Sequence, residues 1–366
     1  MVLNGEMVIG KEMFPVKERE LVKWGTLKVS LFIYESGIHA VKLENQLGYL
    51  VVFPYKGQQI WEAVFYGRDI KMKSKFDEPK NVDGIAHTYG GFLYHCGALR
   101  TGNPGKDDTH PLHGELPYAD FDQARLLFGQ DEKGQYIGLT SQFQYNDAFA
   151  SHYYRAYPVV KIYDNSALMD VSIKIDNLSS YPMEHMYMTH INFRPINHGH
   201  VVQPVDWKPE FIQLRENTPA HSKDIPLSQD YVKFINTIKT NPEYLQTIRP
   251  EDPYLPEVVL YLKSPKTDSE GWTHFLQVHP DGSGDYVSYR PDELDHATRW
   301  IIRNRDREAF GLLLPGTCDP EGYTHEKAAG NVRLIPEQGS VTHQVVTGAL
   351  DPGQTADMQK KIEALR

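Results

Sequence analysis

Four short stretches of the chain collect side chains able to move a proton or hold a metal ion. They are His110-Pro-Leu-His113-Gly-Glu115, the group His190, Asn192 and Arg194, the pair His198 and His200, and the segment Gly316 to Glu326, GTCDPEGYTHE. An imidazole and a carboxylate facing one cleft make a general acid and a general base. Alternatively, His110, His113 and Glu115, joined by His190 or by the His198/His200 pair, make a set suited to Zn, Mn or Fe, and such an ion polarises a carbonyl for enolisation. No nucleophile elbow, phosphate-cradling glycine loop, dinucleotide fingerprint or HExxH helix is present, so covalent and nucleotide chemistry lack support. Proton transfer without a cofactor is the first expectation, with a divalent metal ion as the alternative.

The element that must position His190 is the stretch Ser179 to Pro204, SSYPMEHMYMTHINFRPINHGHVVQP. From Met183 to Phe193 it alternates with the period of a strand, which sends Met186, Met188 and His190 to one face and His185, Tyr187 and Thr189 to the other. A histidine near the end of such a strand, among apolar neighbours, lines a pocket while staying partly dry, and a dry imidazole is a useful proton donor. His152, His185 and His221 read as packing or surface residues. Cys96 and Cys318 read as small buried residues.

The rest of the text is strand text. LKVSLFIYE, IHAVKLEN, YLVVFPY, QIWEAVFYG and DIKMKSKF, between Leu27 and Phe76, read as an antiparallel meander. Strands are also expected at Leu126 to Phe128, Tyr136 to Tyr145, Tyr153 to Tyr163, Ala167 to Asn177, Val258 to Leu262, His274 to Val278, Asp285 to Tyr289, Ala309 to Leu314, Val332 to Ile335 and Ser340 to Thr347. Residues 1–23 read as an arm with a short helix, Gly84 to Arg125 as a long functional loop, and residues 206–256 as an insertion or covering loop with a helix near Gln229 to Lys239. The tail Thr355 to Arg366 reads as helical. No repeat or linker interrupts the 366 residues, so one domain is expected.

Composition excludes several partners. A net charge of −10 with no basic patch argues against nucleic acid and anionic membrane surfaces. No apolar run approaches the ~20 residues that span a bilayer. Two cysteines and an N-terminus without an apolar core point to a reduced, cytoplasmic setting. Exposed edge strands leave a homodimer open.

The order YGGFLYHCG, LRTGNP, LHGE, HINF and LLPGTC resembles the aldose 1-epimerase (galactose mutarotase-like) superfamily, in its epimerase-related branch. The likeness runs from about Gly90 to Leu350. It implies a mainly antiparallel β-sandwich whose concave side binds a small carbohydrate, and an isomerase that interconverts anomers by His/carboxylate catalysis. By that resemblance His190 is the acid and His113 binds the sugar, with Arg100 and Asn103 at the upstream polar positions; Asn192 and Arg194, grouped with His190, are further expected sugar contacts. The family's glutamate should lie next to Pro315, where this chain reads Gly311-Leu312-Leu313-Leu314-Pro315. Leucine cannot accept a proton. The family's HGR arginine is Glu115 here, so Glu115 is the expected base, with Asp319, Glu321 and Glu326 as substitutes. A metal-assisted isomerase or lyase and a non-catalytic carbohydrate-binding protein are the alternatives. Arg100, Arg125, Arg194 and Arg299 are the candidate partners for an anionic sugar.

Overall fold

The computed structural model describes residues 4–149, 152–216 and 225–366. Their strands form two antiparallel sheets. The first runs in the spatial order β1 (Gly5–Ile9), β9 (Gln123–Asp131), β10 (Gly134–Asn146), β11 (Tyr153–Tyr163), β12 (Leu168–Asn177), β22 (Ser340–Leu350), β18 (Gly284–Tyr289), β17 (Thr273–Val278) and β14 (His200–Val202). The second runs β15 (Ile212–Leu214), β16 (Val258–Leu262), β19 (His296–Arg303), β20 (Glu308–Gly316), β13 (Met183–Ile191), β8 (Leu93–Ala98), β6 (Ile60–Phe65), β5 (Gly48–Val52), β4 (His39–Asn45), β3 (Leu27–Ile33) and β2 (Arg19–Trp24). Two short strands flank it: β7 (Arg68–Asp69) pairs with β6, and β21 (Arg333–Ile335) with β13.

The antiparallel sandwich that the resemblance implies is thus present, and its cause is visible strand by strand. In β12 the inward residues Met169, Val171, Ile173 and Ile175 are buried, while Asp170, Ser172, Lys174 and Asp176 alternate with them toward the outer face. One continuous apolar cluster takes side chains from both sheets, from Ile9 and Leu27 to Val345 and Ala349. Three helices decorate the edges: α1 (Gln229–Thr240), α2 (Tyr323–Ala328) and α3 (Pro352–Ala364). Ser228 Oγ caps α1 by accepting from Tyr231 N, and Asp351 caps α3 by accepting from Gln354 N. Among the described residues no helix is long and apolar enough to cross a membrane.

Four expectations need correction. The N-terminal arm has its short helix, one 3-10 turn at Lys11–Met13, but it also supplies β1 and β2, two edge strands that were not expected. An edge strand needs one partner and tolerates charge, which is why RELVKW serves. DIKMKSKF is not a strand: it pairs only through β7 and isolated bridges at Lys71 and Lys73. The loop Gly84 to Arg125 contains β8. Finally, β19 was not expected at all. Both β8 and β19 are buried on two faces, and burial on both faces erases the alternation that marks a half-exposed strand.

Candidate active site

On the face of the second sheet turned away from the first, a pocket of about 640 Å³ opens over β16, β19, β20 and β13. The pleat decides what enters it. Met188 and His190 of β13, Leu314 of β20, and Thr298, Trp300 and Ile302 of β19 line it, each set spaced by two within its strand. Glu257, the residue before β16, falls in step with Val259 and reaches the same pocket. Loops add Tyr89, Asn103 and His113 on one side and Arg215 on the other.

His190 sits at the meeting point of three rings. The His113 imidazole meets it edge-on at 5.0 Å, Trp300 at 5.5 Å and Tyr89 at 5.7 Å. Burial pushes its pKa down to about 4, so the resting imidazole is neutral and its conjugate acid is strong. Its polar neighbour is the Tyr89 hydroxyl, 3.2 Å from the ring nitrogens. That hydroxyl donates to Asn192 Oδ1 at 3.1 Å, while Asn192 Nδ2 donates to Gly91 O at 3.1 Å. With its single proton committed to Asn192, the Tyr89 oxygen is left to accept from an imidazole N–H. Burial holds the Tyr89 phenol well above its ordinary range, so it stays protonated in that role.

Across the pocket stands a carboxylate that the sequence reading missed. Glu257 is only 9% exposed. Its Oε2 accepts from the Trp300 indole N–H at 2.8 Å, and its Oε1 lies 3.4 Å from Arg215 Nη1. Arg215 in turn pairs with Glu321 through Nε at 2.6 Å, and Glu321 accepts from the Tyr261 hydroxyl. One indole therefore touches both His190 and Glu257. Leu314, beside Pro315, also faces the pocket, so the carboxylate absent from β20 is met by one arriving from β16, two strands away. Glu257 was hidden because it stands alone before an apolar run. Trp300 was hidden in the unrecognised β19.

The other expected residues are placed as follows. His113 and Asn103 line the pocket; Asn192 stands behind His190, fully buried. Glu115 does not line it: Oε1 accepts from Ala98 N (2.8 Å), Leu99 N (2.9 Å) and the Tyr154 hydroxyl (2.6 Å). Gly114, at φ +85°, turns the chain so that His113 points into the pocket and Glu115 back toward β8. A Cβ at Gly114 would meet Arg100 O at 2.0 Å, so only glycine makes that turn. Arg100 lies on the Tyr323 ring and donates to Glu184 at 2.7 Å, away from the pocket lining. Arg194 pairs with Asp69, Arg125 with Glu6, and Arg299 is buried against Gln203 and Leu312 O. Asp319 pairs with His296, and Glu326 accepts from Asp319 N and Asn331.

The set His110, His113, Glu115 and His190 is not drawn together. His110 turns to Pro111 O and Asp108, and among the described residues no three His, Cys, Asp or Glu side chains form a group that could hold a metal ion. His198 leads into β14, which carries His200 in the other sheet. His185 is buried against His343; His221 lies outside the described residues. Cys96 and Cys318 are free and buried.

Comparison with known proteins fits this frame. A family model described as a domain of unknown function (DUF4432) matches residues 35–198. No curated protein matches the chain. Among solved structures, the chain is similar to a "putative aldose 1-epimerase" from Klebsiella pneumoniae, at 15% identity over 100% of this chain and 96% of that one, with a TM-score of 0.80. It is also similar to a galactose mutarotase-like protein from Clostridium acetobutylicum, at 12% identity over 91% and 98% of the two chains, with a TM-score of 0.56. A third, a "putative aldose 1-epimerase" from Escherichia coli K12, is 12% identical over 86% and 99%, with a TM-score of 0.54. At these identities the likeness is one of fold.

Proposed function

We propose that this chain, which has the galactose mutarotase-like fold, interconverts the anomers of a free sugar or sugar derivative, with His190 as acid and Glu257 as base. The observation that carries this reading is Trp300, which contacts His190 and fixes the Glu257 carboxylate in one pocket. Protonated His190 gives its proton to the ring oxygen as the bond from that oxygen to the anomeric carbon breaks. Glu257 takes the proton of the anomeric hydroxyl as the carbonyl forms. The open aldehyde turns about its first carbon–carbon bond and closes with both protons returned. General acid and base each contribute roughly 10²- to 10⁴-fold. The expected base is thereby moved from Glu115 to Glu257, because Glu115 is occupied by three donors outside the pocket lining.

The test is proton NMR of pure anomers in heavy water over pentoses, hexoses, deoxy sugars and uronates. Wild type is expected to speed anomer exchange without deuterium entering carbon, and His190→Ala and Glu257→Gln to lose about 10²-fold or more in kcat. Deuterium at the carbon next to the carbonyl would replace this reading with enolisation. Binding without exchange would replace it with carbohydrate recognition alone.

A further inference from the structure

The mouth of the pocket has a charge pattern that acid–base work on a neutral sugar does not require. The hairpin between β19 and β20 places Asn304, Arg305, Asp306 and Arg307 in the lining, with Lys75 beside them. Its tip is held by its own side chain: Asn304 Oδ1 accepts from Asp306 N at 2.9 Å and from Arg307 N at 3.0 Å. Lys75 is spoken for by Asp306, 3.2 Å away. Arg305 and Arg307 have no carboxylate within ion-pair distance among the described residues, in a chain whose net charge is −10.

Arg307 is also aimed. Its guanidinium carbon lies 5.7 Å from the Trp300 ring centroid, and Trp300 is the same indole that meets His190 and Glu257. A cation over an indole keeps its N–H groups at the ring's rim, free to grip a ligand. Its charge reaches the Tyr89 hydroxyl beside His190. The reacting pair and the arginines therefore share one pocket, with the His190 ring 5.5 Å and the Arg307 guanidinium 5.7 Å from the same indole.

We infer that the substrate carries an anionic group, a carboxylate or a phosphate, at the end remote from its anomeric carbon, and that Arg305 and Arg307 bind it. This inference rests on the proposed site but not on its catalysis. A guanidinium meets either oxyanion with paired N–H donors, so the two anions share one recognition chemistry. Arg194, Arg125, Arg100 and Arg299, the expected anion partners, are all engaged elsewhere.

Calorimetric titration and anomer-exchange kinetics would be run in parallel on glucuronate, galacturonate, glucose 6-phosphate and ribose 5-phosphate, against glucose, galactose and ribose. Charged sugars are expected to bind at least tenfold tighter than their neutral counterparts, and to lose at least tenfold of that preference in Arg305→Gln/Arg307→Gln and in 0.5 M salt, with ~0.5 M chosen to screen exposed charges. The uronate and phosphate arms decide which anion is preferred. Arg305→Gln alone, at an exposed position, checks that the effect is not a folding defect. Binding without exchange sinks the catalytic reading and leaves this one standing. Equal binding of charged and neutral sugars, an unaltered preference in the arginine variants, or no binding by any charged sugar overturns it.

Discussion

At the scale of the residue, the site depends on one imidazole kept dry. Burial lowers the pKa of His190 to about 4, so at neutral pH the acid form is scarce but donates readily. Its population rises about tenfold for each unit the pH falls toward 4. The enzyme-dependent part of anomer exchange should therefore increase from pH 7 to pH 5, read as kcat/KM after subtracting the buffer rate. A profile that falls over that interval would remove His190 as the acid. Glu115 invites the opposite test. Its three donors belong to β8, the loop after it and β11, and Glu115→Ala leaves them without a partner at a cost of about 2–4 kcal/mol. Chemical denaturation should show that loss, whereas turnover per folded molecule should stay near wild type. A large fall in kcat with unchanged stability would restore Glu115 as the base.

Between elements, the two sheets meet through a second pair of histidines. His185 of β13 and His343 of β22 stack at 4° between planes, with Nε2 atoms 2.9 Å apart. The His185 Nδ1 donates to Ala98 O at 2.9 Å, so its Nε2 is a bare acceptor and His343 Nε2 carries the shared proton. His185 must be neutral to accept this bond, and burial pushes His185 down to about 4 and His343 well below its ordinary value. The sign follows. In the unfolded chain each imidazole binds its proton near 6.5, earlier than in the folded state, so this stability is complete above about pH 6.5. It falls as the pH drops from there toward 4, by up to about 1.4 kcal/mol per pH unit for each histidine. Urea unfolding at stepped pH should show the fall. His343→Phe should be less stable at pH 7 and shallower in its acid dependence. An equal slope in both proteins would mean that the pair is not its source.

For the molecule as a whole, one apolar cluster spans both sheets, and β22 joins β12 to β18 within the first sheet while its His343 reaches β13 of the second. Neither sheet can keep its buried face without the other. We expect one cooperative unfolding transition, with calorimetric and van't Hoff enthalpies equal. Two separated transitions would divide the chain into independent units. A ligand of the pocket should raise the transition temperature without splitting it.

What the sequence determined by itself was set by local periodicity. The two-residue alternation of β12 specified a half-buried strand, and that of β13, which is buried on both faces, sent Met188 and His190 to one face and His185 and Tyr187 to the other, and so identified the residue at the centre of the pocket. Turn chemistry similarly placed most strand ends, and His113 and Asn103 were legible from motif order. Tertiary structure alone decided the rest. Whether two neighbours such as His113 and Glu115 face one cleft depends on a glycine at positive φ between them. Which carboxylate stands opposite His190 depends on strand order: β16, β19, β20 and β13 are adjacent in space although up to about 130 residues separate them. Burial on both faces hid β19, and with it Trp300 and the arginine hairpin, because a strand covered on both sides carries no alternation to read.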